Sequence, residues 1–130
     1  MKTLTIEDDY TLIDAAHEGI SIGYFDKLLQ VSGMQKGLLA SLVGIDVKTV
    51  DNYRKNAKKF DVLEAELLLK LERLFLFGEE VFEDMKEFRE WLGINSLSLG
   101  NKKPIELLNT STGVDLVYDE LLRIAHGYVV

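Results

Sequence analysis

Apolar side chains recur along this chain at spacings of three and four residues, the period of helices that bury one face. Alternating runs rich in β-branched residues, which would make strands, are few. Residues 1–18 are polar and acidic with only short apolar stretches, which predicts a flexible N-terminal arm holding at most one helical turn. Ser21 can cap a helix reaching about Val31, with Ile22, Phe25, Leu28 and Leu29 on one face, and Gly33 breaks it. A second helix runs from about Gln35 to Val43 with Leu38, Leu39 and Leu42 apolar. Gly44 closes it, because only glycine sits comfortably in the left-handed conformation of a sharp turn. Asp46 caps a third helix to about Asn56, along which Thr49, Val50 and Tyr53 follow at helical spacing.

Asp61 with Glu64 three residues on has the pattern of a capping box, and a long helix should start there. One stripe of that helix carries Leu63, Leu67, Leu71, Leu74 and Phe75, continuing to Val81 and Phe82. A second stripe, Val62, Ala65, Leu69 and Leu76, lies roughly opposite. A surface helix of a monomer needs one apolar face, so two imply a central buried helix or one shared with another chain. Asp84 with Glu87 opens a short helix holding Phe88, Trp91 and Leu92, closed by Gly93. Residues 94–103 read as a loop. Pro104 suits the first position of a short helix, PIELL, where no N–H is needed. Thr110 or Ser111 caps a last helix whose inward face is Val114, Val117, Tyr118, Leu121 and Ala125, and Gly127 ends it.

Composition agrees with this picture and narrows it. At 47% hydrophobic and 28% charged, the 130 residues suit one globular domain or two small ones rather than a disordered chain. There is no Cys, which excludes disulfides and thiolate metal sites and fits a reducing compartment. No apolar run is long enough to span a bilayer and MKTLTIEDDY is not a secretory signal, so the expectation is a cytoplasmic protein with no membrane partner. The net charge of −7 is unevenly placed. Residues 1–35 hold two Lys/Arg against six Asp/Glu, residues 36–60 hold six against two, and residues 61–130 hold seven against fourteen. The middle segment is a basic island in an acidic protein. Its last residues, 54–60, form the best hinge between an N-terminal and a C-terminal unit.

The island coincides with a motif. In residues 36–56, Ala40 is the small residue at which two helices of a helix-turn-helix approach, and Gly44 is the turn four residues later. Ile45, Val50 and Tyr53 fill the apolar positions that follow. The second helix then exposes Val47, Lys48, Asp51, Asn52 and Lys55 as candidates to reach base edges, while Arg54, Lys58 and Lys59 are candidates for phosphates. Two packed helices using the same turn as plain architecture remain the alternative. Val47 and Asp51 are poor choices for meeting a polyanion.

The acidic cluster Glu79, Glu80, Glu83, Asp84, Glu87 and Glu90 lacks the alternating ligands and central glycine of a calcium loop, and reads as a solvated helix face. His17 and His126 have no ligand-type neighbour at metal-binding spacing, so no metal and no cofactor is expected. No nucleophile elbow or phosphate loop occurs, which leaves an enzymatic reading without residues to rest on.

From Gly19 onward the chain resembles the Xre/MbcA/ParS-type antitoxins. The resemblance is carried by GISIGYFDKL at 19–28, LVGIDVKTV at 42–50, Glu64 through Leu74, FGEEVFED at 77–84 and FREWL at 88–92. It continues through Asn95 to Leu99-Gly100, then KPIELLNTSTG at 103–113 and LLRIAHGYVV at 121–130. It implies an all-α fold of two parts, a helix-turn-helix unit at 19–60 and a helical toxin-binding domain at 61–130 behind the arm 1–18. It also implies a RES-domain toxin that consumes NAD as partner, homodimerisation, and autorepression at operator DNA. A stand-alone helix-turn-helix transcription regulator is the competing reading.

The resemblance does not say which side chains meet the toxin; periodicity does. Setting the inward face of the last helix as above puts Leu116, Asp119, Glu120 and Arg123 outside. Gly127 then releases Tyr128, Val129 and Val130, whose terminal carboxylate suits an anion site evolved for phosphate. These seven residues are the expected toxin contacts. The second stripe, Val62, Ala65, Leu69 and Leu76, is the expected dimer contact, and Lys48, Asn52, Arg54, Lys55, Lys58 and Lys59 the expected DNA contacts.

Overall fold

The long helix that starts at Asp61 is the axis of the molecule. Its capping box is formed in full: the Asp61 carboxylate accepts the Glu64 N–H at 2.8 Å, and the Glu64 carboxylate accepts the Asp61 N–H at 3.0 Å. A computed structural model describes residues 8–127 of the chain. Among them it places α1 (Asp9–Glu18), α2 (Ile22–Ser32), α3 (Lys36–Val43), α4 (Val47–Lys55), α5 (Val62–Phe82), α6 (Met85–Leu92) and α7 (Ser111–Ala125). Single 3-10 turns at Leu97–Leu99 and Pro104–Leu107 occupy the segment before α7. The protein is all-α. Extended backbone pairs only at one isolated bridge among the described residues, Ser96 with Lys102.

Helices α1, α2, α3, α6 and α7 all pack on α5. That arrangement explains the two apolar stripes. Ala65, Leu67, Leu68, Leu69, Leu71, Leu74 and Phe75 are buried all round the helix, and each such side chain larger than alanine contributes about 1.5–3 kcal/mol of burial energy. The core is one continuous cluster from Leu12 on α1 to Leu121 on α7. Phe75, Phe82, Phe88 and Trp91 close its α5–α6 end, with Phe75 and Phe88 edge to face at 5.1 Å.

Four expectations are corrected. Residues 9–18 are a full helix rather than part of an arm: Asp8 caps it by accepting the Thr11 N–H at 2.8 Å, and Leu12 and Ala16 bury one turn apart against α5. Leu63, placed on the inward stripe, is exposed, while Ala65 in the same first turn of α5 is the side chain that faces the core. Ala65 and Leu69, expected at a dimer contact, are fully enclosed within the monomer by the helices wrapped round α5. On α7 the buried arc is wider than one stripe, because the helix meets the 97–108 segment as well as α5; it takes in Glu120 and leaves Ala125 exposed. Thr110, not Ser111, caps α7, accepting the Gly113 N–H at 2.9 Å.

Candidate partner-binding surfaces

The basic island lies on α4 and the turn before it. Gly44 has φ +87°, where a side chain would cost about 1–2 kcal/mol. Its N–H donates to the Ser41 carbonyl at 3.1 Å, and the Ile45 N–H to that of Ala40 at 3.0 Å. Asp46 then starts α4, accepting from the Thr49 N–H at 2.8 Å. This puts Lys48, Asn52 and Lys55 on the exposed side, with Val50 and Tyr53 buried behind them.

The other expected DNA contacts already have intramolecular partners. Arg54 forms a two-pronged ion pair with Asp26 of α2, at 2.6 and 2.9 Å, which holds the Asp26 carboxyl below the usual carboxylate range. Lys58 lies over the Tyr53 ring at 4.6 Å. Lys59 donates to the Glu18 carbonyl at 3.5 Å. Asp51, the awkward acid on this face, is neutralised by Lys36 at 2.9 Å. Asn52 accepts from the Asn56 amide. Lys48 and Lys55 are the two exposed cations of α4 with no ion pair among the described residues.

The second surface is α7. Leu116 keeps 48% of its area exposed, and Asp119 and Arg123 flank it. Glu120 does not. It is fully buried, and Arg123 turns back to donate to one of its oxygens, from Nε at 2.9 Å and Nη2 at 2.5 Å. Tyr128, Val129 and Val130 lie outside the described residues.

Beside this face runs a cleft of about 530 Å³ between α1, α5 and α7. Lys70 sits in it, donating to Ser111 at 2.7 Å and to both oxygens of Asp115 at 2.9 and 3.0 Å, which ties α7 to α5. Arg73 pairs with Asp9 at 3.2 Å and stands 5.4 Å from the centre of the Tyr118 ring. Periodicity missed these ties because the partners are more than 40 residues apart.

It also missed Ile94 and Leu97, which are 61% and 81% exposed in the segment read only as a loop. The acidic cluster is as expected in placement: Glu79, Glu80, Glu83, Asp84, Glu87 and Glu90 are all exposed. His17 and His126 both direct Nδ1 to the carbonyl one turn back on their own helices, at 2.9 and 2.7 Å.

Ile94, Leu97, Leu116 and the acidic face fall within one stretch, residues 77–127. That stretch matches the antitoxin Xre/MbcA/ParS C-terminal toxin-binding domain. Over that stretch the chain is similar to the Xre/MbcA/ParS-type antitoxins. Two relatives named Antitoxin Xre agree. One, from Yersinia enterocolitica serotype O:8 / biotype 1B, is 25% identical over 117 residues, spanning 89% of this chain and 79% of the relative. The other, from Photorhabdus laumondii subsp. laumondii, is 25% identical over 114 residues, 87% of this chain and 77% of the relative. The matched stretch begins inside α5, a helix on which α1, α2 and α3 also pack. No helix among the described residues is long and apolar enough to cross a membrane.

Proposed function

We propose that this antitoxin neutralises a RES-domain, NAD-consuming toxin in the cytoplasm by covering its active-site mouth, acting through binding and not through catalysis. The observation that carries this reading is the coincidence of the matched toxin-binding domain with exposed apolar side chains set in acid. Ile94, Leu97 and Leu116 leave apolar area uncovered, in a stretch that holds ten Asp/Glu against five Lys/Arg. An enzyme that binds the NAD pyrophosphate must present cationic groups, to which such a surface is complementary. Leu116, Asp119 and Arg123 are the contacts on α7, and the tail Tyr128–Val130 enters the substrate entrance.

Co-expression with the product of the neighbouring gene, which the reading expects to be a RES-domain protein, tests the reading. The two chains should co-purify, and Leu116→Arg should weaken the complex at least about 10-fold, as a charge placed at an apolar contact does. A neighbouring RES-domain protein that never co-purifies would favour the stand-alone regulator.

The antitoxin also represses its own operon through α3 and α4, with Lys48, Asn52 and Lys55 facing DNA. It does so as a homodimer. With Ala65 and Leu69 enclosed, the apolar area left for a second copy on α5 is Val62 with Leu63 at the first turn, and Leu76 about 21 Å further along. Leu63→Asp should therefore shift the chain to a monomer in sedimentation at micromolar concentration. An unchanged dimer would place the interface elsewhere.

A further inference from the structure

A second feature lies on the other side of α5 from Lys70 and Arg73, between the matched stretch and the helices before it. The end of α2, the start of α3, and α6 enclose a pocket of about 290 Å³. Met34, Leu38, Phe75, Leu92 and Ile105 line it, and Arg89 forms part of its wall. The volume is at the lower limit of small-molecule sites, roughly 300–1,000 Å³, and suits one large side chain. Leu38 stands at its mouth, 40% exposed, and Gly93 on its rim leads directly to the exposed Ile94. The pocket therefore has Arg89, Leu92, Gly93 and Ile105 of residues 77–127 in its lining.

Arg89 gives the pocket its polarity. Its Nη1 donates to the Ser32 carbonyl at 3.0 Å, at the end of α2. Gly33 makes this approach possible: its φ is +71°, and a Cβ there would lie 2.4 Å from Nη1. A guanidinium carries five donors, and among the described residues Arg89 has no carboxylate partner. In a protein this acidic, an unpaired arginine beside an apolar pocket is complementary to an apolar side chain carried next to a carboxylate.

We propose that this pocket receives a single leucine- to tryptophan-sized side chain of the toxin, with a neighbouring toxin carboxylate on Arg89. The proposal rests on the toxin-binding reading above and names its anchor point. Because the pocket spans α3 and α6, an occupied pocket also ties the toxin to the unit that carries α4.

The antitoxin has no Cys, so Leu38→Cys and Asp14→Cys each introduce a sole thiol, one at the pocket mouth and one on the exposed side of α1. Each is alkylated with N-ethylmaleimide, free and in complex with the neighbouring RES-domain protein, and followed by mass. The expected result is at least about 10-fold slower alkylation of Leu38→Cys in the complex, with Asp14→Cys unchanged. Arg89→Gln, which can still donate to Ser32, should weaken the complex about 5- to 20-fold with an unaltered melting temperature. A complex that forms while Leu38→Cys reacts at its free rate overturns the pocket and leaves the toxin-binding reading intact. Absence of any complex overturns both. Protection that grows with the concentration of the antitoxin alone assigns the pocket to a second copy and overturns the proposal.

Discussion

Glu72 and Glu120 are both enclosed, and they are held in different ways. Glu72, on α5, accepts a hydrogen bond from the Tyr24 hydroxyl of α2. Burial raises its carboxyl above the usual range, against the opposing pull of the Tyr24 bond and the Lys27 charge. Its unfolded value is near 4.5, so the folded chain keeps the proton to higher pH than the unfolded chain. The stability this contributes is complete below about 4.5 and is lost as pH rises through the folded value. Glu72→Gln keeps the acceptor for Tyr24 and removes the charge, so the variant should be at least as stable as the parent at pH 7. Urea titrations from pH 4 to 8 should show the parent's decline with pH reduced in the variant. Equal slopes would mean that Glu72 takes up its proton alike in the folded and unfolded chains. Glu120 instead has the Arg123 guanidinium on one oxygen, and its other oxygen has no hydrogen bond among the described residues. Arg123→Ala should cost about 1–3 kcal/mol of folding stability by leaving a buried acid unpaired. A stability unchanged in urea would return Arg123 to a purely intermolecular role.

Among the helices, α5 and α4 show what periodicity resolves and what it does not. The start, cap and length of α5 were legible from Asp61 and Glu64, because a capping box is a local signal. Which of its two stripes was covered was not, since that depends on α1, α2, α3, α6 and α7 arriving from distant sequence. Helix α1 was illegible for a related reason: its only buried positions are Leu12 and Ala16, too few to register as a stripe in an acidic segment. Leu69→Ala, a core truncation here, should cost about 2–5 kcal/mol at every protein concentration. A loss that grows on dilution would restore Leu69 to a dimer contact. On α4 the exposure of Lys48, Asn52 and Lys55 was legible, but the capture of Arg54 by Asp26 was not, because 28 residues separate them. Lys48→Glu with Lys55→Glu should abolish DNA binding at 0.15 M salt and flatten its salt dependence. Arg54→Gln should cost about threefold or less, because its charge is already shared with Asp26. Electrophoretic shifts at several salt concentrations distinguish these cases, and a larger loss at Arg54 would mean that the Asp26 pair opens on DNA.

Across the whole molecule, charge and apolar exposure are segregated while the core is not. The basic residues of α4 and the acidic residues of 77–127 form two separate surfaces, yet one core cluster runs beneath both. The two-part division read from the sequence tracks these surfaces, since charge is written locally in composition. A shared core is not, because it depends on α5 packing against helices from both ends of the chain. The central claim is that the domain at 77–127 silences a toxin enzyme by contact. The most direct measurement is NAD consumption by the purified RES-domain protein titrated with the full antitoxin and with Leu116→Arg. The account predicts that the antitoxin stops NAD loss at a fixed stoichiometric ratio, and that Leu116→Arg requires at least about 10-fold more protein. NAD consumption unaffected by a saturating excess of the antitoxin would contradict it.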